Sequence, residues 1–179
     1  MSLTLLYRSL GPMRWSVLTA CGLGHVSPGS GTWASLPPVF LAIILARFGC
    51  GHLLWLSVLG ILAISSTFFC IKWGGDAERI LGTKDPSQVV IDEVAGQSVA
   101  LALVWTPILA EGGVDIVSRA VVICGTAFIL FRFYDVAKPP PIRGLEKYSG
   151  GTGIVIDDIA AGVFAGITQL IIRAFGYNV

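Results

Sequence analysis

Hydrophobic and polar positions divide this chain into long uncharged runs separated by short polar intervals. Trp33 to Ala46 is apolar and uncharged, with Pro37 and Pro38 placed where a first helical turn tolerates proline. It falls short of the roughly 20 residues of a full crossing. Positions 48 to 71 carry no Asp, Glu, Lys or Arg, which is 24 positions and enough to cross. Trp73 to Gln88 is polar, with a turn expected at Asp85-Pro86-Ser87. Val94 to Ala110 is free of charge and headed by Asp92-Glu93, and Glu111-Gly112-Gly113 reads as a turn. Val114 to Phe131 is entered through Asp115 and Arg119, opposite charges at i,i+4 spacing. Arg132 to Gly153 is polar and broken by Pro139-Pro140-Pro141. A last apolar run extends from about Ile154 to Phe175, with Gly162 and Gly166 at the GxxxG spacing of close helix contacts. The pattern predicts an all-α, small integral-membrane helical bundle of about five apolar helical segments. A re-entrant or interfacial loop is expected near residues 22–32. The whole of 1–179 reads as a single domain, with 1–20 a short leader.

Composition strengthens the membrane reading. The 179 residues are 54% hydrophobic, their mean hydropathy is +0.79, and only 13% are charged, where a soluble domain carries roughly a quarter. A net charge of +1 gives a nucleic-acid partner no electrostatic support. Cys21, Cys50, Cys70 and Cys124 form no CxxC pair and are expected to be buried small hydrophobes. The start MSLTLLYRSLGPMRW lacks the ordered regions of a cleavable signal peptide, so none is expected.

In so uncharged a chain the remaining charges are conspicuous. Arg132, Asp135 and Lys138 recur every third residue, and Asp157-Asp158 stand at the head of the last apolar run. Carboxylates beside hydrocarbon are costly and usually mark a site. Two that abut repel unless a proton or a metal ion intervenes. The plainer alternative for Asp157-Asp158, and for Asp92-Glu93, is an acidic pair at a helix N-terminus. Between Cys21 and Thr32 lie Gly24, Gly29, Gly31 and Pro28, a composition that turns successive N–H groups toward an anion. His25, Ser27, Ser30 and Thr32 add polar groups to that loop, which is no Walker sequence because no Gly-Lys-Ser/Thr follows. The alternative there is a simple turn between apolar segments.

With the N-terminus placed in the cytoplasm, the inner regions hold Arg8, Arg14, Lys72, Arg79, Lys84, Arg132, Lys138, Arg143 and Lys147. The outer regions hold Arg47, Arg119 and Arg173, so nine basic residues against three satisfy the positive-inside rule. That arrangement brings the Ser/Gly loop, Asp92-Glu93, Arg132/Asp135/Lys138 and Asp157-Asp158 to one face. Carboxylates suit Mg²⁺, while Arg, Lys, hydroxyls and N–H groups suit phosphate.

These same residues carry a resemblance. Ser27-Pro28-Gly29-Ser30-Gly31-Thr32, Ile91-Asp92-Glu93-Val94-Ala95-Gly96, Phe131 to Pro139 with Pro141-Ile142, and Gly150-Gly151-Thr152-Gly153 running into Asp157-Asp158-Ile159-Ala160-Ala161-Gly162 occur in order. Together they resemble phosphatidylglycerophosphatase A, the bacterial membrane lipid phosphatase, from about Gly22 to Gly166. The resemblance implies removal of the terminal phosphate of phosphatidylglycerophosphate to give phosphatidylglycerol, with dependence on Mg²⁺. It implies a multi-pass protein of the bacterial inner membrane, acting on its lipid substrate at the cytoplasmic face.

The expected mechanism is metal-assisted hydrolysis of a phosphomonoester. Asp92, Glu93, Asp157 and Asp158 are expected to hold one or two Mg²⁺. Arg132 and Lys138 neutralise phosphoryl oxygens, and the loop of His25, Ser27, Gly29, Ser30, Gly31 and Thr32 cradles the phosphate. Asp135 has three readings: metal ligand, general base, or the partner that orients Arg132. Residues 73–88 receive no role. The rival from another class is a small oligomeric transporter or channel subunit with cation-binding carboxylates. Transporter sites favour the midplane, whereas these charges fall at helix ends. An oligomer is compatible with either reading.

Overall fold

The structure, a computed structural model, describes residues 2–104 and 116–176. Seven α-helices and two short 3₁₀ turns account for most of them, and no strand occurs among the described residues. The helices are α1 (Ser2–Leu10), α2 (Pro12–Leu18), α3 (Ser30–Arg47), α4 (His52–Leu81), α5 (Ile91–Leu103), α6 (Ile116–Ala137) and α7 (Gly150–Ala174).

Helix ends differ from expectation at several places: α6 continues past Phe131 to Ala137 and α7 starts at Gly150, before Ile154. Two further boundaries have identifiable reasons. The polar interval expected from Trp73 is helical as far as Leu81, because no breaker intervenes before Gly82. Gly82 adopts φ +67° and its N–H donates to the Glu78 carbonyl at 2.8 Å, a glycine C-cap. Gly74 does not break α4 because it serves packing: a Cβ there would stand 3.0 Å from Gly151 Cα of α7. At the other boundary, α3 starts at Ser30 instead of Trp33, which puts Pro37 and Pro38 inside the helix and not in its first turn.

α4, α6 and α7 are long and apolar enough to cross a membrane, by length and composition. About five such segments were expected. α3 and the 13 described residues of α5 do not meet the same measure. The Glu111-Gly112-Gly113 turn and Asp115 of the expected Asp115/Arg119 pair lie outside the described residues. The long helices present large apolar side chains outward: Leu53, Ile61 and Ile64 on α4, Ile129 on α6 and Ile171 on α7 are exposed. So much outward apolar surface marks contact with another apolar phase and suggests a membrane protein.

Inside, α5 is the hub. It runs antiparallel to α4, where Trp55 Nε1–H donates to the Leu101 carbonyl at 2.9 Å. It runs parallel to α7, and the two backbones touch: a Cβ on Gly96 would lie 2.4 Å from the Asp158 carbonyl oxygen, and one on Gly162 would lie 2.2 Å from the Gly96 carbonyl oxygen. One turn further, Gly166 abuts Leu103. The GxxxG spacing thus marks a real helix contact. α6 is antiparallel to α7, joined by Lys138 to Asp157 at one end and by Gln169 Nε2–H to the Ile123 carbonyl, at 2.8 Å, near the other.

Residues 2–18 fold onto this bundle. Leu6, Leu10 and Leu18 are buried in one cluster with Cys70, Trp73, Val89 and Val90, and the Val90 N–H donates to the Leu18 carbonyl at 2.9 Å. Of the cysteines, Cys70 and Cys124 are buried as expected. Cys21 is exposed and Cys50 half-buried, because both sit in connections outside the helical core.

Candidate active site

The site collects where α3, α5 and α7 begin and α4 and α6 end. On α6 a spacing of three places Arg132, Asp135 and Lys138 along one face. Arg132 Nη1 lies 2.6 Å from Asp135 Oδ2. The helix stops at Ala137 because three prolines follow. Lys138 closes it with a left-handed φ of +41°, its N–H donating to the Tyr134 carbonyl at 2.9 Å. That turn carries the Lys138 ammonium to the carboxylate of Asp157, with which it pairs.

Asp157 and Asp158 are not a cap. α7 begins at Gly150, so both lie in its third turn, and each is 4% exposed. Neighbours on a helix project about 100° apart, and the two carboxylates accordingly divide their tasks. Asp157 meets Lys138, while Asp158 faces α5, where Asp92 and Glu93 occupy the first turn. Carboxylate oxygens of Asp92, Glu93 and Asp158 all lie within 4.8 Å of one another. Asp92 Oδ1, Glu93 Oε2 and Asp158 Oδ2 are buried and have no hydrogen-bond partner. Three converging carboxylates with unsatisfied buried oxygens would repel one another, and they fit a hard divalent cation. Asp157 stands apart from this group.

The connection from 22 to 32 packs against the same carboxylates. It contains a 3₁₀ turn at Leu23–His25, and α3 starts after Gly29 in the left-handed region. Gly31 is needed for contact: a Cβ there would fall 2.1 Å from Glu93 Oε1 and 3.0 Å from Arg132 Nη1. Ser30 Oγ–H donates to the Ser87 carbonyl at 2.8 Å, tying this loop to the one before α5.

Between these elements lies a cavity of ≈620 Å³. Gly24, His25, Ser27, Gly29, Ser30 and Gly31 line one side, and Asp92, Glu93, Arg132, Asp135, Lys138 and Asp158 the other. Partial burial lowers the pKa of His25, so near neutral pH its ring faces the cavity uncharged. Thr32 is not among the lining residues. Asp157 lines a smaller neighbouring cavity of ≈300 Å³.

Two acidic residues in the segment given no role belong here. Asp85 lines both cavities, and Glu78 lines the smaller one. Glu78 Oε1 accepts the Asp85 N–H at 3.0 Å and Oε2 accepts the Gly150 N–H at 2.9 Å, clamping the loop before α5 to the start of α7. Asp85 is held at φ +46°, uncommon for a residue with a side chain and frequent at functional sites. A turn sequence, Asp85-Pro86-Ser87, was the only hint of this.

Comparison with known proteins converges on one family. The family model for phosphatidylglycerophosphatase A matches residues 16–173. A Haemophilus influenzae protein named phosphatidylglycerophosphatase A is 33% identical over 157 residues, covering 85% of this chain and 83% of that protein. An Escherichia coli protein of the same name is 31% identical over 156 residues, covering 84% and 77%. A Bacteroides thetaiotaomicron protein, provisionally named a phosphatidylinositol-3-phosphatase, is 36% identical over 121 residues, covering 68% of each chain. No solved structure matches.

Proposed function

This chain belongs to the phosphatidylglycerophosphatase A family, and from that premise we propose that it hydrolyses the terminal phosphomonoester of phosphatidylglycerophosphate at the cytoplasmic face of a bacterial inner membrane. The observation that supports this best is the meeting of three carboxylates, Asp92, Glu93 and Asp158, with Arg132 and the Gly31 backbone in one cavity. The products are phosphatidylglycerol and inorganic phosphate. Water adds to phosphorus, the bond to the glycerol oxygen breaks, and that oxygen takes up a proton.

Asp92, Glu93 and Asp158 would hold Mg²⁺, which when bound supplies Lewis acidity and a water of lowered pKa. The remaining steps fall to the chain itself. Arg132, oriented by Asp135, offers N–H donors to the phosphoryl oxygens. Lys138, balanced by Asp157, adds a second cation on the same wall as Arg132. Backbone N–H groups and hydroxyls of the Ser27–Gly31 stretch position the group from the other side, so that electrostatic positioning carries most of the rate. His25, neutral near pH 7, contributes hydrogen bonding and no charge. Thr32 acts only by supporting the loop, with its Oγ1 beside Gly29.

The proposed topology keeps five crossings: α3, α4, α5, α6 and α7. The connection at 22–32 then lies at the interface, and nine of the twelve basic residues face the cytoplasm. The transporter reading is not favoured, since the acids cluster at one end of the bundle and the relatives are phosphatases. The Bacteroides relative supports a second reading of the substrate, a phosphoinositide monoester. Phosphate release by purified protein from phosphatidylglycerophosphate and from phosphatidylinositol 3-phosphate, each with Mg²⁺ and with chelator, decides. Turnover of the first substrate, lost with chelator, is expected. Metal-independent turnover or preference for the second would refute the reading.

A further inference from the structure

The family model begins at residue 16, so α1 and the first half of α2 precede it. These residues have no part in the scheme above, yet they are built into the end of the bundle that carries the site. We propose that α1, α2 and the adjoining end of α4 form an interfacial platform that binds the headgroups of anionic phospholipids. This binding requires that α4 crosses the bilayer and does not depend on the phosphatase reading.

Packing sets the depth of the platform. α1 and α2 form a corner: Gly11 stands between them at φ +80°, Pro12 opens α2, and the Tyr7 and Trp15 rings meet edge-on at 5.6 Å. Leu6 and Leu10, one turn apart, are buried with Cys70, Trp73 and Ala77 of α4. The Leu18 carbonyl holds the other end, accepting the Val90 N–H two residues before Asp92. On α4 this is the level where the uncharged run from 48 to 71 gives way to Lys72, Asp76 and Arg79. The Lys72 ammonium lies over the Phe68 and Trp73 rings, at 5.4 and 5.6 Å. Aromatic rings beside the first lysine after an apolar span mark the bilayer surface. α1 and α2 therefore lie at headgroup depth, where amphipathic segments bind in the plane of the membrane.

What these helices turn outward suits that layer. Leu5, Tyr7 and Met13 are exposed apolar side chains, and Arg8 is exposed between them. Arg14, Lys72 and Arg79 extend the positive charge from α2 along α4. Asp76 is the one acid set among them, paired with Arg14 at 3.6 Å and with Arg79. Glu78 is turned elsewhere, its oxygens taken by the Asp85 and Gly150 N–H groups. Four cations against one carboxylate leave the surface positive, with apolar groups interleaved. A zwitterionic lipid surface would match the apolar groups alone; an anionic one matches both.

The test uses the full chain, in a background lacking the four native cysteines, reconstituted in phosphatidylcholine vesicles. Met13→Cys carries a bimane label, and Gly51→Cys carries it at the opposite end of the bundle as control. A minor fraction of brominated phosphatidylglycerol, or of brominated phosphatidylcholine, reports by quenching which lipid surrounds the label. At position 13 phosphatidylglycerol should be favoured by about five-fold or more, the scale of one basic residue at an anionic surface. At position 51 the preference should stay below about two-fold, and Arg8→Gln with Lys72→Gln should bring position 13 down to the same level. Equal quenching by the two lipids at position 13, an equal preference at position 51, or a preference that survives the double substitution would overturn the proposal. So would quenching by aqueous iodide and by neither lipid, which would put α1 and α2 in water. Protection from iodide and from both lipids, with cross-linking between positions 13 of two chains, would assign the face to a second copy and overturn it as well.

Discussion

Arg132 and Asp135 form an ion pair one turn apart on α6, Nη1 to Oδ2 at 2.6 Å, with their side chains 19% and 13% exposed. An arginine held this way presents its remaining N–H donors in a fixed fork, whereas lysine offers one mobile point charge. Arg132→Lys is therefore expected to lower kcat/KM by about 10-fold or more. Asp135→Asn should lower the rate without displacing the acid limb of the pH–rate profile. A displaced limb would mean that Asp135 exchanges the proton itself.

The separation of Asp157 from the other acids gives a differential expectation. Asp92→Asn, Glu93→Gln and Asp158→Asn should each lower activity about 10²-fold or more and raise the Mg²⁺ concentration for half-maximal rate. Asp157→Asn should lower the rate through Lys138 and leave the Mg²⁺ midpoint in place. Titrating each folded variant with metal checks both halves. A shifted midpoint in Asp157→Asn would bring that residue back among the ligands.

Glycines on α5 and α7 differ from those on the outer helix faces. Gly96→Ala and Gly162→Ala drive a methyl against backbone, with 2.4 and 2.2 Å to carbonyl oxygens. Each should cost about 1–3 kcal/mol. Gly60 and Gly125 have nothing within 4 Å of an added Cβ, so alanine there should be neutral or stabilising by up to about 1 kcal/mol. Thermal unfolding in detergent should separate the two pairs.

Sidedness follows from the helix order. Gly51, between α3 and α4, lies at the end of the bundle opposite Ser149, which precedes α7. Both are exposed, and Gly51 has open space for a side chain. In a background lacking the four native cysteines, Gly51→Cys should react with an impermeant thiol reagent in intact cells and Ser149→Cys should not. The reverse pattern would put the acidic cluster outside and end the proposed function.

Much of this was legible because charge is scarce. In a chain with so few ionisable residues, the spacing of Arg132, Asp135 and Lys138 and the doublets at 92–93 and 157–158 could be read directly. The spacing of Gly162 and Gly166 foretold the contact with α5. Asp85 and Glu78 were hidden because they sit in an interval of ordinary polar composition, and their roles depend on a main-chain clamp to Gly150, 72 residues away. The unequal parts of Asp157 and Asp158 were hidden for another reason: sequence shows them side by side, and the helix turns them apart. The extension of α4 past Trp73 was missed because Gly74 and Gly75 imitate a break while serving contact with α7.

The meeting of α5 and α7 at Gly96 and Gly162 also works as a gauge. Asp92 stands one turn from Gly96, and Asp158 one turn from Gly162. No side chain between the two backbones can flex, so two rods in contact set the gap the carboxylates span. A gap of fixed width sorts ions by radius, admitting a small ion with strict octahedral demands and serving a larger, more tolerant one poorly. With the proposed Mg²⁺ in that gap, any preference for it over calcium would reside in two glycines that are not ligands, and one added methyl at either would retune the site from a turn away.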